Sequence, residues 1–152
     1  VKWFAPFVLL SGLTAQSLPN NWAGAGIAYN QFSTPQIAGW ASYLHLISVP
    51  QAMYAGFSYD VTSATAHPFK IQTSTRLRVA MVVRQYQRLA IIGLGDAGMA
   101  VAGSNLGGAF SGGGAAIYKL NDGYTVMLGA RILKTSLGQS QAIYEIGFGK
   151  AW

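Results

Sequence analysis

The sequence predicts an all-β fold, an eight-stranded antiparallel up-and-down transmembrane β-barrel. Three observations predict it. Hydrophobic residues make up 51% of the 152 and charged residues only 9%, against roughly 25% charged in soluble domains. After Lys2 no Asp, Glu, Lys or Arg occurs until Asp60, so residues 3–59 offer no ions for a water-facing surface. No uninterrupted apolar stretch reaches the ~20 residues of a membrane helix. Where lipid is the solvent and helices are absent, backbone hydrogen bonding leaves the closed barrel.

Alternation with period two marks the strands. After the turn-like Leu18–Asn21, the first runs over about Trp22–Phe32. Ser33–Pro35 breaks it, and the second runs over about Ile37–Ile47. Ser48–Pro50 turns the chain into the third, about Gln51–Thr62, and Ser63–Phe69 with His67-Pro68 forms a longer loop. The fourth, about Lys70–Arg84, sets Leu77, Val79, Met81 and Val83 against Ser74, Arg76, Arg78 and Ala80. A connection at Gln85–Gln87 leads to the fifth, about Arg88–Gly98, and Met99–Gly107 reads as a loop. The sixth covers about Gly108–Lys119. Asn121-Asp-Gly123 supplies hairpin chemistry that tolerates positive φ. The seventh is about Tyr124–Thr135, and the eighth follows Ser136–Ser140. Ten of the 19 glycines fall between Gly93 and Gly123, which makes boundaries in that region the least determined. Aromatics near the strand ends predict two interfacial girdles. Trp22, Tyr86, Tyr118, Tyr124 and Trp152 lie toward one rim; Phe32, Trp40, Tyr59, Phe69, Phe110 and Tyr144 lie toward the other. An even strand count places both ends on one side, with the turns at Pro50, Gln85–Gln87 and Asp122 and longer loops opposite.

Gln141–Trp152 has the clearest pattern. Ala142, Tyr144, Ile146, Phe148, Lys150 and Trp152 form one face; Ile143, Glu145, Gly147, Gly149 and Ala151 form the other. This segment resembles the closing strand of small bacterial outer-membrane β-barrel proteins, as a general class and no subfamily. The resemblance implies a bacterial outer-membrane location and a structural or surface role; some barrels of this class modify lipid A, but no residues here match the motifs of those enzymes, so no enzymatic activity is expected. It marks Tyr144, Ile146, Phe148 and Trp152 as candidates for the signal read by the outer-membrane insertion machinery. Membrane lipids and lipopolysaccharide are the expected surroundings, with a monomer as the expected state. Residues 1–17 read as a signal peptide: Lys2, an apolar run from Trp3, then Ala15-Gln-Ser17 with small residues around a cleavage point. Residues 18–152 form the barrel. Two other readings stay open: a soluble lipocalin-like barrel holding an apolar ligand, and a membrane-embedded lipid A-modifying enzyme.

Charge narrows the candidate chemistry. The net charge is +6, but the basic residues are spread along the chain and form no phosphate-binding patch, so nucleic acid is not expected. The absence of Cys removes disulfides and thiolate metal sites, and neither metal nor cofactor is expected. Gly93-Leu-Gly95-Asp-Ala-Gly98 matches a dinucleotide fingerprint, but the glycine-rich sequence after it is a poor helix and no acid follows before Asp122. Ser42 and His45 are three apart and point to opposite strand faces, so they form no nucleophile–base pair. Asp60, Arg76, Arg78, Arg131 and Glu145 take inward parity. A cation facing lipid costs about 2–4 kcal/mol at the midplane, so a lumenal ion-pair network is expected, with Glu145 on Arg131 and Asp60 on Arg76.

Overall fold

The structure, a computed structural model, describes residues 18–30, 36–64, 70–137 and 140–152. The proposed signal peptide, together with Phe32, His67 and Phe69, lies outside them. Eight strands follow in order: β1 (Asn21–Asn30), β2 (Gln36–Ser48), β3 (Met53–Ala64), β4 (Lys70–Gln85), β5 (Leu89–Ala102), β6 (Asn105–Lys119), β7 (Tyr124–Thr135) and β8 (Gln141–Ala151). Each pairs antiparallel with its sequence neighbours, and β8 closes the barrel on β1. The seam aligns Trp22 with Ala151 and Asn30 with Ile143. It is extended by Asn21 N–H on Trp152 O at 2.9 Å and Trp152 N–H on Asn21 O at 3.1 Å. Closure leaves no sheet edge unpaired, which a bilayer interior requires. At eight strands the interior is about as wide as the side chains that fill it.

The alternation read from the sequence is the alternation of burial. Along β4, Ser74, Arg76, Arg78, Ala80 and Val82 are buried, whereas Thr75, Leu77, Val79, Met81 and Val83 are exposed. β8 buries Ile143, Glu145 and Gly147 and exposes Tyr144, Ile146 and Phe148. The exterior is therefore greasy: Ile27, Leu77, Ile132 and Phe148 are each more than 60% exposed. Asymmetry of this kind, apolar out and ions in, reverses the rule for sheets solvated by water. The ions observe it strictly. Among the described side chains, Asp60, Arg76, Arg78, Asp96, Arg131 and Glu145 are buried. Arg84, Arg88, Lys119, Asp122, Lys134 and Lys150 all sit in turns or within two residues of a strand end.

Three expectations are corrected. Met99–Gly107 is not a loop: β5 continues to Ala102, β6 starts at Asn105, and Gly103-Ser104 alone connects them. Gly103 has φ of 62°, the left-handed geometry a tight hairpin needs, while Gly107 and Gly108 remain in the ladder opposite Ala100 and Met99. This hairpin is shorter than the turns at the opposite end, so the expected length asymmetry fails there. Trp22 and Trp40 do not join the girdles. Both are buried in the lumen and stack with ring centroids 6.5 Å apart. Gly149 makes this possible, since a Cβ there would lie 2.9 Å from the Trp22 ring; Gly24 and Gly147 leave room in the same way for Trp22 and Trp40. The other described rim aromatics, Tyr59, Tyr86, Phe110, Tyr118, Tyr124, Tyr144 and Trp152, do face outward.

Candidate functional site

The lumen holds a layer of three arginines and three carboxylates drawn from β3, β4, β5, β7 and β8. Inward parity places each one, and neighbouring registers bring them together. Gly56 and Asp96 both stand opposite Arg78, and Glu145 stands opposite Gly129 on β7, two residues from Arg131. Arg78 engages Asp96 in a bidentate pair, Nε donating to Oδ1 at 2.7 Å and Nη2 to Oδ2 at 2.9 Å. Ser111 Oγ donates to the same carboxylate at 2.6 Å. Arg76 pairs with Asp60 through Nη2, donates Nη1 to Ser74 Oγ at 2.9 Å, and holds Nε 3.4 Å from Asp96 Oδ2. Arg131 donates Nε to Glu145 Oε2 at 3.2 Å. Its Nη2 crosses the lumen from β7 to Asp60 on β3.

None of these six side chains is more than 5% exposed. Burying a lone ion costs several kcal/mol, and a pair balances that cost only when its geometry and remaining hydrogen bonds are good. Here the formal charges cancel, three against three, and hydroxyls of Ser58, Ser74 and Ser111 take up further donors and lone pairs. Asp60 is the hinge of the layer because it receives Arg76 from the adjacent strand and Arg131 from across the barrel. The residues Asp60, Arg76, Arg78, Arg131 and Glu145 were singled out by parity. Asp96 was not, although it takes the firmest arginine pair. It lies within the glycine fingerprint of β5, which forms no helix and no phosphate cradle. Its charge, on a strand facing lipid on one side, was the available signal.

Below this layer, toward the end that carries Asn21 and Trp152, the lumen turns apolar. Trp22, Leu44, Tyr54, Val82, Ile92 and Ile117 surround a cavity of about 560 Å³. Two polar groups deep in its wall are engaged: Trp22 Nε1 donates to Thr125 Oγ1 at 2.9 Å, and Tyr54 Oη donates to Pro19 O at 3.0 Å. Ser42 and His45 fall on opposite faces. Ser42 is buried and donates to Phe57 O at 3.0 Å, whereas exposed His45 lies 2.8 Å from Asn21 Oδ1. Among the described residues no group of three or more His, Cys, Asp or Glu could hold a metal ion.

No protein-family model matches the chain, and no curated protein sequence matches it. Solved structures do match. Neisserial surface protein A aligns with a TM-score of 0.70 at 11% identity, covering 87% of this chain and 96% of that one. The Yersinia pestis outer membrane protein Ail, in a phospholipid bilayer nanodisc, aligns at 0.62 and 11% identity, covering 88% and 99%. The N-terminal β-barrel domain of Pseudomonas aeruginosa OprF aligns at 0.56 and 11% identity, covering 88% and 98%. The fold is that of the small outer-membrane β-barrels. At such identities the likeness extends to architecture, and the contents of the lumen are this chain's own.

Proposed function

We propose that the protein is a non-enzymatic integral barrel of the bacterial outer membrane, with a structural or surface role and a lumen sealed by its ion-pair layer. The observation that carries this reading is the partition of charge: among the described side chains, ions occupy the lumen or the strand ends and turns, and the band between the ends presents apolar side chains to its surroundings. A soluble ligand carrier would need the opposite arrangement, with a polar exterior. An aqueous pore would need a lumen whose charged groups keep contact with water, and the layer's side chains are at most 5% exposed. The outward alternation of Tyr144, Ile146 and Phe148, with Trp152 exposed beyond it, supports their assignment as the signal read by the insertion machinery.

Single cysteines at Leu77, Arg78, Val79 and Arg131, treated with a lipid-soluble thiol reagent in vesicles, test the reading. Positions 77 and 79 should label, and 78 and 131 should not. An unheated sample should also migrate differently from a boiled one on a denaturing gel, and a planar bilayer should show no steady conductance. Labelling at 78 and 131, or identical migration in several detergents, would overturn the closed, lipid-facing barrel.

A further inference from the structure

We propose that the apolar cavity at the Trp152 end of the lumen is a binding site for a single-chain anionic amphiphile, a fatty acid whose alkyl chain enters the barrel and whose carboxylate stays at the mouth. This goes beyond a structural role and assigns the protein a ligand.

The cavity is blind. The Arg78–Asp96 pair lies one inward step beyond Ala80 on β4 and two beyond Ile92 on β5, residues that line it, with buried Leu94 between Ile92 and Asp96, so a ligand enters only from the turn end. The walls select hydrocarbon. Trp22, Leu44, Val82, Ile92 and Ile117 offer no spare hydrogen-bonding group, and the Tyr54 hydroxyl is committed to Pro19. A sugar or nucleotide entering here would leave its polar groups unpaired, which is costly. A chain of methylenes loses nothing, and it removes these walls from water. The volume, about 560 Å³, lies within the range of about 300–1,000 Å³ typical of small-molecule sites.

The mouth supplies the other half of the recognition. Four basic residues ring this end of the barrel. Arg84 is stacked over Tyr86 at 5.5 Å, and Lys150 over Tyr124 at 5.4 Å. Arg88 and Lys119 instead line the cavity mouth. Their backbones are tied together, Lys119 N–H donating to Arg88 O at 2.7 Å, and neither has a carboxylate partner among the described residues. Two neighbouring cations above an apolar shaft complement an anionic head on an apolar tail. A neutral lipid would leave them unused.

The test uses the folded protein in phosphatidylcholine vesicles, in a Trp152→Phe background so that Trp22 is the reporter nearest the mouth. The probe is a terminally brominated undecanoate, which quenches tryptophan on contact, and the matching brominated alcohol is the comparator. Saturable quenching by the acid is expected. The double change Arg88→Gln with Lys119→Gln should weaken it about tenfold to thirtyfold and leave the alcohol unaffected. Ala90→Phe, which fills the shaft, should abolish the saturable component while the heat-dependent gel shift persists. If Ala90→Phe fails to fold, the two exposed rim changes decide alone. Quenching that never saturates, or that saturates equally in the rim variant, overturns the proposal. The cysteine-labelling pattern is independent of either result, so failure of this site and failure of the lipid-facing barrel are distinguishable.

Discussion

Replacing Asp96 by Ala strikes the ion-pair layer where its bonds are best formed. The carboxylate receives Arg78 Nε at 2.7 Å, Arg78 Nη2 at 2.9 Å and Ser111 Oγ at 2.6 Å. The Arg78 side chain is 2% exposed, so the guanidinium left behind cannot turn to water. Hydrogen bonds to charged groups contribute about 1.5–3 kcal/mol each, and the two from Arg78 together give about 3–6 kcal/mol. Deleting one partner of a buried pair costs about 3–5 kcal/mol, and the two routes agree. We expect Asp96→Ala to lose about 3–5 kcal/mol. The balance of charge gives a sharper test. The single change leaves three arginines with two carboxylates. Arg78→Met combined with Asp96→Leu leaves two of each, with apolar groups filling the space. That double variant should recover to within about 1 kcal/mol of wild type. Urea titration in lipid vesicles, followed by tryptophan fluorescence and by gel mobility, measures both. A loss below about 1 kcal/mol for Asp96→Ala, or a double variant as unstable as the single one, refutes the claim that the layer is held by mutual neutralisation.

Three other changes probe separate parts of the barrel. Glu145→Ala should destabilise more than Glu145→Gln, because the amide oxygen can still accept from Arg131 Nε, now bonded at 3.2 Å; equal melting for wild type and both variants would remove Glu145 from the layer. Leu77→Arg, on the outer face opposite Phe57 and Ala97, should cost about 2–4 kcal/mol in a bilayer, and vesicle refolding yields that match wild type would contradict a lipid-facing position. Gly149→Val would drive the Trp22 ring from its place and break its 2.9 Å bond to Thr125. Overpacking of this kind costs about 1–3 kcal/mol, and the near-ultraviolet dichroism of the stacked Trp22–Trp40 pair should weaken; an unchanged spectrum would mean the ring has room to spare.

What could be read from the sequence was what period two controls. Strand count, the inward face of β4 and β8, and the inward parity of Asp60, Arg76, Arg78, Arg131 and Glu145 follow from alternation within one strand and a lipid exterior. What depends on other strands was hidden. Trp22 looks like a rim aromatic until β8 is laid beside β1, where Gly149 and Gly24 open the space it fills. The contact of Arg131 with Asp60 spans 71 residues and exists only because the sheet closes. On β5 large apolar residues occupy both parities, Leu89 and Ile91 on one and Ile92 and Leu94 on the other, so size could not say which way Asp96 points. Glycine misled in the same stretch. Met99–Gly107 reads as a loop, but Gly107 sits in the ladder opposite Ala100, and a Cβ there would lie 2.7 Å from Leu137 Cγ.

The same residues that seal the lumen also fix the register of the sheet. Side chains alternate, so a slip of one residue exchanges the two faces of a strand. If β8 slipped by one against β7 and β1, Glu145 would face acyl chains and Arg131 would lose the carboxylate it holds at 3.2 Å. The same slip would turn Ile146 and Phe148 into the space that Trp22 and Trp40 occupy beside Gly147 and Gly149. Each error is costly by itself, and they occur together. A slip of two residues keeps the faces but moves Glu145 about 7 Å along the axis. In one direction Glu145 comes to stand opposite Met127, beyond ion-pair reach of Arg131; in the other Ala151 takes the place of Gly149, where a Cβ would lie 2.9 Å from the Trp22 ring. Apolar alternation alone would tolerate that slip, because one outward aliphatic serves lipid as well as another. The lumen does not tolerate it: the charged layer excludes the slip in one direction and the glycine-lined niche of Trp22 excludes it in the other, and in a barrel with so uniform an exterior these two features distinguish the native pairing from its neighbours two residues away.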